Sequence, residues 1–133
     1  MYGCETWTIA DKELKKLEAF EMWCYRRMLR ISWRDHVTNE RVLDAIGEER
    51  QLVAQIRIRR AKWMGHLLRH ENLVHTIIEG TVEGNNRRGR PKKEFMGQVK
   101  EDAGAISYQE LKRKIEDRVN WRTICRELLP TNR

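Results

Sequence analysis

The sequence predicts a mainly α-helical fold on three observations. Apolar residues recur at intervals of three and four through most of the chain, capping residues punctuate those stretches, and β-favouring runs are short. The expected architecture is an N-terminal helical bundle of about three helices over residues 11–71. A short β or extended segment with a basic arm follows over 72–91, and then a smaller C-terminal helical lobe over 92–133.

Residues 1–10 have no helical period and read as an extended piece of something larger. Between Asp11 and Ile31, Leu14, Leu17, Phe20, Cys24, Met28 and Ile31 fall on one face of a long helix, with Trp23 and Tyr25 widening it. Acidic residues crowd its first half, and Arg26, Arg27 and Arg30 its end, the order that complements the helix dipole. Thr38 or Asn39 can cap a short second helix carrying Val42, Leu43 and Ile46, which Gly47 ends. From Glu48 to about Arg69, Leu52, Val53, Ile56, Trp63, Met64 and Leu67 gather on one side of a third helix. Arg59, Lys62, His66, Arg69 and His70 form a cationic stripe beside them.

The run Val74 to Ile78 with Thr81-Val82 favours a strand or short hairpin. Gly84 to Pro91 is the least apolar stretch and reads as an exposed arm. Pro91 suits the first turn of a further helix with Phe95 and Val99 inward, stopped by Gly104. Ser107-Tyr108-Gln109-Glu110 spells a capping box before Leu111 and Ile115, and Asp117 can cap a last helix holding Trp121, Ile124 and Leu128.

The chain has 133 residues, 27 Lys and Arg against 20 Asp and Glu, and a net charge of +7. That balance favours a polyanionic partner. Three cysteines without C-x-x-C spacing argue against a disulfide framework and for a reducing, intracellular setting. No apolar stretch approaches the ~18–20 residues of a membrane span, so no membrane partner is expected.

Catalytic constellations are not evident. The carboxylates lie singly on charged helix faces, without the clustering that a two-metal polymerase or nuclease centre requires. His66 and His70 have the i, i+4 spacing for a shared zinc, but no third ligand is evident, so they read as surface or phosphate-facing residues and no metal site is assigned. No cofactor is expected in this chain, and neither a Walker loop nor a nucleophile elbow occurs. The segment Arg87-Arg88-Gly89-Arg90-Pro91-Lys92-Lys93 carries the core of the AT-hook pattern, in which Gly and Pro keep a thin backbone from which arginines can enter a minor groove. General phosphate contact, a basic linker and a nuclear-import signal are the other readings of those residues.

Several segments together resemble the region after the palm in non-LTR retrotransposon (LINE-type, jockey-like) endonuclease–reverse transcriptases. Tyr2 to Trp7 looks like the exit from the polymerase palm, and Lys16-Leu17-Glu18-Ala19-Phe20-Glu21-Met22-Trp23-Cys24-Tyr25-Arg26-Arg27-Met28-Leu29 is similar to the helix that follows it. Arg59 to Arg69, then Arg88 to Lys93, then Asp117-Arg118 with Trp121-Arg122, match later blocks of the family in the same order.

The resemblance implies a fragment in which residues 11–71 form a thumb-like region. Its parent copies element RNA into DNA, with the catalytic aspartates, the magnesium they require and the endonuclease all upstream. The fragment would bind an RNA template, an RNA–DNA duplex or target DNA, pack against the absent palm, and act in the nucleus. The expected contacts are Arg59, Lys62, His66, Arg69, Arg87, Arg88, Arg90, Lys92 and Lys93. Two alternatives stay open: a stand-alone AT-hook-like DNA-binding or interaction module, and a degenerate element copy without function.

Overall fold

The computed structural model describes residues 2–70, 73–80 and 94–129. It is mainly α-helical, as the sequence predicts, and no strand occurs among the described residues. Seven α-helices are described: α1 (Asp11–Met28), α2 (Asn39–Ile46), α3 (Leu52–Leu67), α4 (Leu73–Glu79), α5 (Phe95–Asp102), α6 (Tyr108–Glu116) and α7 (Arg118–Glu127). Short 3-10 turns lie at Cys4–Thr6 and Trp33–Asp35.

The local punctuation behaves as the residue types dictate. Thr38 accepts from Arg41 N, and Gly47 closes α2 at φ 73°, a left-handed conformation that glycine adopts without steric penalty. Asp117 accepts from Val119 N and Asn120 N and starts α7. Ser107 caps α6 by accepting from Glu110 N, and the Glu110 carboxylate reaches back to Ile106 N at 2.9 Å.

α3 lacks a cap of its own, because its N-cap residue Gln51 makes no capping bond with its side chain. Glu21 supplies one from α1. Its Oε1 accepts from Gln51 N at 2.7 Å and Leu52 N at 2.9 Å, and also from the Tyr25 hydroxyl at 3.1 Å. An anion at a helix N-terminus satisfies orphan amides and complements the dipole. Burial, and then the adjacent Glu21 charge, push the Tyr25 phenol up to about 12. Glu21→Ala should lower stability by about 1.5–3 kcal/mol, the usual contribution of charge-assisted hydrogen bonds, and urea unfolding would measure the loss.

This arrangement corrects part of the buried face expected for α1, whose Leu14 and Leu17 do turn inward. Glu21 and Met22 are its buried residues, whereas Phe20, Trp23 and Met28 are exposed. The helix is rotated so that Glu21 meets the start of α3, which turns the aromatic side outward.

A second correction falls on Val74 to Ile78, which lie in α4 rather than in a strand. β-branched residues lose only tenths of a kcal/mol in a helix, so modest tertiary contacts override their preference. Here Ile78 packs on the main core, while Glu79 accepts from the Tyr108 hydroxyl at 2.7 Å and from Lys112 Nζ at 2.8 Å.

The main core joins Ala61, Met64, Leu67 and Leu68 of α3 and the turn after it to Val99, Ala103, Leu111, Ile115, Trp121 and Cys125. A smaller cluster joins Ile56 of α3 to Cys4 and Ile9, flanked by Leu14 and Leu17. α3 is thus shared by both ends of the chain, and the stretches read from the sequence as two lobes pack on one helix.

Buried polar groups reinforce that junction. Gln98 of α5 exchanges two bonds with the Ile9 backbone, accepting from its N–H at 3.1 Å and donating to its carbonyl at 2.6 Å. Arg60 of α3, only 4% exposed, donates to Gln98 Oε1 at 2.8 Å and to the Trp7 carbonyl at 3.4 Å, and pairs with Asp102.

Candidate nucleic-acid interface

α3 is buried along much of its circumference, with Arg57 exposed on the side toward Asp102 and a second exposed row on the other side. Arg59, Lys62, His66 and His70 lie along that row, three and four residues apart, and all four are exposed. The two imidazoles are neighbours, with ring centroids 4.6 Å apart.

Arg69 departs from the stripe expected of it. It is half-buried, and its Nη1 donates to the Ile115 carbonyl at 3.0 Å, tying the end of α3 to the end of α6. Burial lowers its pKa below the usual arginine value, and the positive charges of Arg118 and Arg122 lower it further. Those repulsions reveal cations arriving from α7, which the sequence reading did not assign to the site.

Arg118, Arg122 and Arg126 recur at i, i+4 and i+8 on α7, and all three are exposed. α7 lies along α3 because Trp121 is buried against it. The indole Nε1 donates to the Ala61 carbonyl at 3.1 Å, and the ring lies where only glycine fits, since a Cβ on Gly65 would be 2.2 Å from Nε1. The two helices border a groove of about 460 Å³ whose sides carry Lys62, Arg69, Arg122 and Arg126, over an apolar floor that includes Ile58 and Cys125. Among the described residues, no carboxylate lines it. Burial raises the Cys125 thiol pKa, while the positive charges of Lys62 and Arg69 pull against that rise. The i, i+4, i+8 row on α7 was a signal available in the sequence, but its pairing with α3 depends on the tertiary fold.

Arg87, Arg88, Arg90, Lys92 and Lys93, the remaining residues of the predicted contact set, lie outside the described residues.

No family model matches this chain. No curated protein and no solved structure shows significant similarity to it either. The functional reading therefore stands on the chain's own residues.

Among the described residues, no group of three or more His, Cys, Asp or Glu is placed to hold a metal ion. No helix among them is long and apolar enough to cross a membrane. Four cations along one groove can hold phosphates, a contact that positions a strand without reading its bases.

Proposed function

We propose that the chain is a nucleic-acid-binding, non-catalytic part of a retrotransposon reverse transcriptase, in which the groove between α3 and α7 holds the sugar–phosphate backbone of template–primer or target DNA. The observation that carries this reading is the cationic groove formed by Lys62, Arg69, Arg122 and Arg126, lined by no carboxylate among the described residues. It is supported by the sequence blocks that resemble the family, since Arg59 to Arg69 and Asp117 to Arg122 contribute the two sides of that groove. Arg59 and His66 extend the contact along α3, and the segment Arg87 to Lys93 adds charge to the same partner. The polymerase chemistry, with its magnesium, belongs to the parent's palm, and the setting is the nucleus. The apolar hollow of about 500 Å³ between Trp7, Ile9, Leu17 and Phe20 is the surface that this reading gives to the palm.

The experiment is a shift assay with an RNA–DNA duplex across a salt series. The four groove contacts alone predict an affinity loss of about a hundredfold between 50 and 200 mM salt, and the further contacts steepen it. The combined Lys62→Ala, Arg122→Ala and Arg126→Ala variant should lower the slope of log K against log salt by about 3. Absence of binding at low salt, or an unchanged slope in the variant, would overturn the assignment. A marked preference for AT-rich duplex in competition would identify a stand-alone DNA module instead.

A further inference from the structure

The loop after α1 has an unusual backbone. α1 ends in a Schellman motif, with Ile31 N donating to the Arg26 carbonyl at 2.9 Å and Arg30 N to the Arg27 carbonyl at 3.2 Å. The left-handed position of that motif favours glycine, yet it holds Arg30 at φ 58°. Ser32 and Asp35 then form a capping box around the Trp33–Asp35 turn, which consumes the Asp35 carboxylate. His36 follows, left-handed again at φ 48°. Two non-glycine residues in this conformation within seven positions place backbone strain in the loop.

Both strained residues line one pocket of about 750 Å³, together with Trp23, Trp33 and Arg27. Trp33 is 78% exposed and Trp23 57%. The Arg27 guanidinium lies 5.9 Å from the Trp23 ring centroid, and that of Arg34 lies 5.6 Å from the Trp33 centroid. Arg26 is occupied structurally, donating to the Val37 carbonyl and to Asn39 Oδ1, both at 2.8 Å. Among the described residues, no carboxylate lines the pocket.

We propose that this pocket binds a single-stranded stretch of nucleic acid, with unpaired bases stacking on Trp33 and Trp23 and their phosphates held by Arg27, Arg30 and Arg34. A ring bearing a guanidinium beside it, repeated twice, matches a ligand in which a flat base and a phosphate alternate. An acidic peptide would supply the anions without the flat faces. The proposal rests on the reading of this chain as a nucleic-acid binder but uses none of the residues of the α3–α7 groove.

The test titrates the full chain with oligo(dT) and oligo(U) twelve-mers at low salt, following tryptophan fluorescence, with polyglutamate as a control polyanion. Both oligonucleotides should quench the fluorescence and polyglutamate should not. Trp33→Ala should weaken binding about tenfold, the effect of losing one stacking partner. Arg30→Gly should lower the salt slope by about 0.7, one phosphate contact on a single strand, while raising Tm by about 2–4 °C as the left-handed strain is relieved. Weaker binding in a more stable variant cannot come from misfolding. Duplex binding should be unchanged in both variants, and the groove variant should retain oligonucleotide quenching, so each site fails or stands separately. No quenching, wild-type affinity in Trp33→Ala, an unchanged salt slope in Arg30→Gly, or an equal response to polyglutamate would overturn the proposal, the last in favour of an acidic protein partner.

Discussion

Asp102→Ala is expected to destabilise the chain by about 3–5 kcal/mol, the range for removing one partner of a buried ion pair. Asp102 faces two arginines, the buried Arg60 and the more exposed Arg57, with Arg57 Nε 3.5 Å away. Removing it leaves a guanidinium in the core with only the Gln98 and Trp7 oxygens, and Arg60 Nε is already without a hydrogen-bond partner. The reciprocal change should be milder. Arg60→Met leaves Asp102 paired with Arg57, which can reach water, and Gln98 keeps both its bonds to Ile9. A joint Arg60→Met and Asp102→Leu replacement should recover much of the loss, since apolar groups of similar volume can replace a buried pair at little penalty. Urea unfolding of the three variants, compared by midpoint at constant m, distinguishes this ordering from a uniform loss.

Trp121→Ala should have an effect of similar size, about 3–5 kcal/mol, because it removes a large buried side chain and the indole donor to the Ala61 carbonyl. The close approach to Gly65 makes the prediction more specific. Gly65→Ala should lower stability by about 1–3 kcal/mol through overpacking, since its Cβ would collide with the indole. In a Trp121→Ala background the indole is gone and only the end of the Arg69 side chain, 3.2 Å away, remains close, so the same substitution should be near neutral, alanine being the better helix former. A double-mutant cycle measured by urea unfolding reads this directly, and additive losses would show that the contact is not the cause. Total stability for a domain of this size is only about 5–15 kcal/mol, so each of these single changes removes a large share of it.

The features legible in the sequence were those fixed within a few residues. The ends of α2 and α7 follow from Thr38, Gly47 and Asp117, whose bonds span only two to four positions. The exposed row Arg59, Lys62 and His66 follows from helical spacing alone. The burial of Glu21 on α1 was not legible, because what buries it is the uncapped start of α3, thirty residues away. Nor was the helicity of Val74 to Ile78, whose local preference points the other way and is overridden by Glu79 meeting α6. Arg60 and Gln98 look like surface residues in the sequence, and only the return of α5 against residues 7–9 buries them. The groove divided similarly, with its α3 side readable and its α7 side legible as a periodic row but not as a partner.

The sharing of α3 between two hydrophobic clusters bears on how the molecule comes apart. The smaller cluster is completed by Ile56 and the larger by Ala61, Met64 and Leu67, so neither can be dismantled while that helix stays fully packed. Backbone amides in the middle of α3 should therefore exchange with solvent only through whole-chain opening, and their protection equals the global free energy of unfolding. The cationic groove runs along this helix, and the strained tryptophan loop hangs from α1, which is pinned to its first turn by Glu21. Both surfaces are therefore built on elements that come apart only with the fold as a whole.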